Sequence, residues 1–291
     1  MIPADETKGI HADFHAFWVD PNDPDYFIIG GDGGIGITHD HGKSWYFPET
    51  IPVAQFYHIA VDNEMPYNVY GGMQDNGNWS GPGYVWKRGG IRTLYWQYLV
   101  GGDGFYISPD SANARFGYGT SQNGDLYRYD KLTGYYQSIQ PKTDQDVRLR
   151  FNWDAGFARD LNDQDVAYYG SQFVHKTTDR GKTWQIISPD LTNNNPEQQK
   201  QDYGGLTIDA SGAEFYNSIL SITPSRLDEN VIWVGTDDGN VQLTLDGGDS
   251  WQNITANVKG LPQESWIKQI QASRYNAAEA WMVVNNYRRG D

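Results

Sequence analysis

The chain has 291 residues, a net charge of −15 (22 basic against 37 acidic residues), no cysteine, and 14% aromatic residues alongside 33 glycines. This balance argues against nucleic acid and anionic membrane surfaces as partners, because both need a basic face. It also removes disulfides and thiolate metal sites while leaving cations and neutral ligands open. No apolar run reaches the ~18–20 residues of a membrane span, and many aromatics with many glycines suit short strands and tight turns better than helices.

In chain order, one pattern recurs: a short apolar strand, a loop rich in Pro, Asp and Asn, and a second strand ending in aromatic–x–Gly. The copies start at Trp18, Ala60, Ile107, Ala158 and Ile222, with a weaker sixth at Ala272. The closing glycines, Gly30, Gly71, Gly119, Gly170 and Gly235, lie 41 to 65 residues apart. A four-stranded propeller blade needs roughly 40–50 residues, and the longest interval holds an Asn-rich insertion at 193–199. The spacing predicts an all-β chain, a β-propeller of four-stranded antiparallel blades, with five blades and the start of a sixth.

A second motif, S/T-x-D-x-G-x-[ST]-W, follows three of these pairs. Its copies are Thr38 to Trp45, Thr177 to Trp184 and Thr244 to Trp251. Asp40, Asp179 and Asp246 are expected to accept turn amide hydrogens. Gly42, Gly181 and Gly248 are expected to take positive φ, and Trp45, Trp184 and Trp251 to pack back against the sheet. The motif resembles the Asp box, or bacterial neuraminidase repeat, of sialidases, other propeller glycoside hydrolases and the sortilin-type receptor propeller. The wider pattern resembles bacterial sortilin-like repeat proteins often labelled glycosyl hydrolases. The resemblance implies a secreted, extracellular or periplasmic propeller and a piece of a longer multi-blade protein, because a closed propeller needs complete blades. The opening residues, Met1 to Asp5, do not read as a signal peptide, so one is expected upstream.

Blade geometry sorts the polar residues. Loops entering a first strand and hairpins leaving a second strand share one face, whereas the Asp-box turns lie toward the other. The mouth should therefore gather His11, Asp13, His15, Gln55, Tyr57, His58, Asp103, Trp153, Asp154 and Glu214 from the first set. From the second it should gather Gln74, Asp75 and Asp237. The pairs at Asp32-Gly33, Asn76-Gly77, Asn123-Gly124 and Asp238-Gly239 read first as turns. His11, Asp13 and His15 alternate, which in extended backbone puts them on one face. Such a set either holds a transition metal or knits neighbouring blades by hydrogen bonds. The Asp-rich loops offer oxygen ligands to calcium, although no cofactor is required.

Two functions stay open. A binder would take a glycan, peptide or protein at the mouth. A glycoside hydrolase acting on a neutral glycan would need two carboxylates across a sugar, with Asp103, Asp154, Glu214 and Asp75 as candidates and Trp153, Tyr57 and Trp79 for stacking. Sialidase activity would need an arginine cluster that the mouth segments lack. Arg88 and Arg92, in the second blade's insertion, read as surface charges.

Overall fold

The computed structural model describes residues 13–48, 53–143, 146–200 and 215–286. Each copy of the sequence repeat folds as an antiparallel pair, and the chain returns on itself so that sheets grow in sequence order. The first sheet has β1 (Phe14–Asp20), β2 (Asp23–Gly31) and β3 (Gly34–Thr38), extended by a bridge from Ile37 to Tyr46. The second has β4 (Phe56–Val61), β5 (Asn68–Met73), β6 (Gly77–Pro82) and β7 (Gln97–Val100). The third has β8 (Ile107–Pro109), β9 (Phe116–Thr120), β10 (Leu126–Asp130) and β11 (Tyr135–Ser138). The fourth has β12 (Phe157–Arg159), β13 (Ala167–Gly170), β14 (Val174–Thr177) and β15 (Gln185–Ile186). The fifth has β16 (Ile219–Pro224), β17 (Ile232–Thr236), β18 (Val241–Thr244) and β19 (Gln252–Asn253). The sixth has two described strands, β20 (Trp266–Ala272) and β21 (Ala280–Asn285).

The core lies between sheets rather than within one. Tyr70, Leu99 and Val100 of the second sheet pack on Ile107 and Tyr129 of the third. Tyr118 and Leu126 of the third pack on Phe157, Ala167 and Tyr169 of the fourth. Val166, Tyr168 and Val174 meet Ile219, Ile222, Ile232 and Val234, and Trp233 and Val241 meet Ile267 and Ile270. Burying these faces against one another supplies the main stabilisation, at roughly 25 cal/mol per Å² of apolar area. The first sheet differs: Phe27 and Ile29 cluster with its own Phe14, Trp45 and Phe47. Phe17 and Trp18 of β1 are exposed.

Two of the closing glycines, Gly170 and Gly235, are required by the packing of the next blade. A Cβ on Gly170 would sit 2.7 Å from Cβ of Ile219, and one on Gly235 would sit 2.7 Å from Cβ of Ile267. Only a hydrogen at that position lets the next first strand approach so closely.

The three Asp-centred turns share one hydrogen-bond pattern. In the first, Asp40 Oδ1 accepts from Ser44 N (2.8 Å), Asp40 Oδ2 accepts from Ser44 Oγ (2.6 Å), and Thr38 Oγ1 accepts from Gly42 N (2.9 Å). Asp179 and Asp246 repeat these bonds with Thr183 and Ser250. Two left-handed residues in a row make each turn, such as Arg180 (φ 63°) and Gly181 (φ 86°). The tryptophans pack back on the sheets as expected, Trp45 on Phe27 of its own sheet and Trp184 and Trp251 on the clusters between neighbouring sheets. Trp184 Nε1 donates to Ile139 O at 2.7 Å, and Trp251 Nε1 donates to Ile187 O at 2.9 Å. Both acceptors belong to the blade before. Trp45 Nε1 instead donates to Gly42 O within its own turn, at 3.1 Å.

Candidate functional site

The first strands begin with a recurring irregularity. Register shifts fall between Phe14 and Ala16, Phe56 and His58, Ile219 and Ser221, and Ile267 and Gln269. Each bulge leaves one extra residue without a cross-strand partner and re-aims it. Those residues are His15, Tyr57, Leu220 and Lys268, and three of them reach across to other segments.

Lys268 forms an ion pair with Asp154, and His58 Nε2 lies 3.1 Å from Asp154 Oδ2. Sheets two, four and six thus meet at one carboxylate, which places their first strands around a common axis. The Asp154 side chain is 8% exposed. Burial alone would raise its pKa, but the hydrogen bond from His58 and the charge of Lys268 outweigh that, and the pKa is lowered. The His58 ring stacks on Tyr106 with centroids 3.7 Å apart. Asp154 is therefore the centre of a buried ion cluster rather than an open mouth carboxylate, and its depressed pKa is the reverse of what a general acid needs.

Asp103 ties three blades together. Its Oδ1 accepts from Asp75 N at 2.8 Å, its Oδ2 accepts from Trp153 Nε1 at 2.9 Å, and its own amide donates to Gln122 Oε1 at 2.8 Å. Trp153, Tyr57 and Phe105 form a three-ring cluster with centroids 4.5 to 6.0 Å apart. Tyr57 Oη donates to Gln74 Oε1 at 2.6 Å, and Gln55 Nε2 reaches the same oxygen at 3.2 Å. Loops entering first strands and hairpins leaving second strands do share one face.

Asp237 lies deeper. Ser218 N and Ser218 Oγ donate to its two oxygens at 2.8 and 2.7 Å, and Asn152 Nδ2 donates at 3.1 Å. Burial, with Asp238 beside it, pushes its pKa up to about 8. Asp238 is buried too, accepting from Asn193 N at 2.7 Å and Asn217 Nδ2 at 2.8 Å, and its pKa is raised. Asn152, Asn217 and Asn193 carried no signal beyond their place in polar loops.

His11 and Glu214 lie outside the described residues. Of the alternating set, the bulge at His15 breaks the alternation, and His15 Nε2 sits 2.8 Å from Asp32 Oδ1. Asp13 is grouped instead with Asp32 and Asp75, whose carboxylates offer oxygens within 4.8 Å of one another. An all-oxygen set of this kind suits a hard cation such as calcium better than zinc. Asp32 and Asp75 also border an open cleft of about 730 Å³ between the first two sheets, lined further by Gln55, Gln74, Asn76 and Trp79.

No protein-family model and no curated protein matches the chain. Among solved structures, an ancestral GH74 enzyme aligns over 93% of this chain and 34% of its own, at 13% identity and TM-score 0.52. An extracellular domain from B. thetaiotaomicron, described as part of a one component system, aligns over 93% of this chain and 32% of its own, at 16% identity and TM-score 0.51. The fold is a β-propeller. The propeller chain spans about a third of the length of each of these proteins. No helix among its described residues is long and apolar enough to cross a membrane.

Proposed function

We propose that this propeller is an extracellular binding module that takes a neutral glycan at its mouth, in the cleft between the first two blades. The observation that carries the reading is the cleft's lining: the indole of Trp79 beside the amides of Gln55, Gln74 and Asn76 and the carboxylates of Asp32 and Asp75. Aromatic faces stack on sugar rings, and amides and carboxylates bond to hydroxyl pairs. Gln74 accepts the bonds from Tyr57 and Gln55 through its oxygen, so neither bond uses its amide hydrogens. The lining also carries Ile35, Phe47, Val53 and Met73, so a peptide with apolar side chains is the competing ligand.

Hydrolysis of a neutral glycan draws less support. Asp154 is held ionised by His58 and Lys268. Asp103 already accepts two hydrogen bonds from protein groups. Asp237 keeps its proton to about pH 8 but is fully buried, out of reach of a glycosidic oxygen. An enzyme and an extracellular domain share the fold, so the fold does not choose between the two readings.

The test is titration of the purified chain against arrayed neutral oligosaccharides, followed by calorimetry on any hit. Binding that falls at least tenfold in Trp79→Ala and in Gln74→Ala is expected. Binding unchanged in both variants, or no neutral oligosaccharide bound at all, would overturn the reading.

A further inference from the structure

We propose a second ligand site at the rim between the third and fourth blades, specific for an acidic oligosaccharide carrying carboxylate or sulfate groups. A cleft of about 730 Å³ opens there between the face of the third blade and the Asp-centred turn of the fourth. The chain carries a net charge of −15, yet every charged residue lining this cleft is a cation: Arg128, Lys142, Arg180 and Lys182.

The four cations divide by role. Arg128 is bound to buried Asp110, and Arg180 Nε lies 2.6 Å from Asp165 Oδ1. Those pairs fix two guanidinium groups in place and largely neutralise them. Lys142 and Lys182 are exposed, and neither pairs with an acid among the described residues. An ammonium group left in this way is a mobile point charge suited to an oxyanion. Their local field acts against the acidic surface around them and is felt over about a Debye length, ~8–10 Å at ordinary ionic strength.

The rest of the lining favours a sugar over an acidic peptide. Phe116 and Trp184 present rings from opposite blades, and Gln137 and Gln140 add amides that pair with vicinal hydroxyls. The cleft also runs along β11, the edge strand of the third sheet, so an acidic peptide adding to that edge is the competing occupant that a poly-glutamate probe distinguishes. The site is distinct from the mouth, shares no lining residue with the mouth cleft and takes an acidic rather than a neutral ligand.

The test is calorimetric titration of the full chain at 50 and 250 mM NaCl. The probes are an oligogalacturonate, a sulfated dextran oligosaccharide, neutral dextran of equal length, and a poly-glutamate peptide. At least one acidic oligosaccharide should bind, more weakly at the higher salt, and neutral dextran should not bind at this cleft. The double variant K142Q/K182Q should weaken binding at least fivefold, with its thermal midpoint unchanged, while Trp79→Ala leaves it intact. The proposal is overturned if neither acidic oligosaccharide binds, or if the double variant changes affinity less than fivefold. It is equally overturned if poly-glutamate binds as tightly as the sugars. Loss of mouth binding alone leaves these readouts unchanged, so the two proposals fail separately.

Discussion

Trp184 Nε1 donates a hydrogen bond to the carbonyl oxygen of Ile139, 2.7 Å away, and so bolts the turn of the fourth blade to the last strand region of the third. The same turn needs Gly181, because a Cβ there would lie 2.4 Å from Cδ1 of Ile139. The fifth blade repeats both features on Ile187, through Trp251 and Gly248. The motif thus joins blades as well as closing hairpins.

Trp184→Phe should therefore cost more stability than Trp45→Phe. The first leaves the Ile139 carbonyl without its partner, a loss of about 1–3 kcal/mol. The second loses a bond internal to one turn on the half-buried first blade. Urea unfolding of both variants checks the difference, and equal costs would show that the inter-blade bond contributes little.

Acid should unfold the chain partly through these turns. Asp40 and Asp246 are held at about 2, chiefly by the hydroxyls of Ser44 and Ser250, and Asp179 is held at about 2 by the amide and hydroxyl of Thr183. A carboxylate depressed in the folded state stabilises it above the unfolded pKa, and that contribution is lost as pH falls through the folded value. The thermal midpoint should drop between about pH 4 and 2. Asp179→Asn should be less stable than the parent at pH 5, with the gap narrowing toward pH 2.

Asp237 gives the opposite slope. Its folded pKa of about 8 means that the folded chain holds a proton which the unfolded chain releases near pH 4. Stability therefore declines as pH rises from about 4 to 8. Asp237→Asn removes this decline, so its stability relative to the parent should improve across that window by on the order of a few kcal/mol. Chemical unfolding at pH 5 and pH 8 measures it; a gap that stays constant would mean that Asp237 ionises normally.

Lys268→Met should loosen the sixth blade. It removes one partner of Asp154, whose side chain is 8% exposed, while Lys268 is 36% exposed. A cost of about 2–3 kcal/mol is expected, below the ~3–5 kcal/mol of a wholly buried pair because water screens the lysine. Hydrogen exchange should quicken in β20 and β21 first. Asp154→Asn should leave glycan binding at the mouth intact, and a loss of binding in a folded variant would show that Asp154 itself holds the glycan.

The repeat, its closing glycines and the Asp-centred turns were all legible in the sequence. Local rules fix them: alternating apolar residues make strands, and Asp, Gly and Ser or Thr at set offsets make one turn. The common face of the mouth segments was legible for the same reason, since a meandering blade alternates its ends. What needed the tertiary structure were the meetings between blades. Asp154 read as an open carboxylate, but Lys268, 114 residues away, and His58, 96 residues away, turn it into a buried ion cluster. Lys268 reaches it from a bulge, and one extra residue in a strand leaves no mark on the apolar pattern. The same device displaces His15, which a bulge separates from the strict alternation that would align it with Asp13. Sequence determined the strands and turns of each blade, because a blade's strands pair with neighbours in the chain. Which carboxylates are buried, paired or protonated was decided only when distant blades packed, because charge and burial depend on neighbours in space.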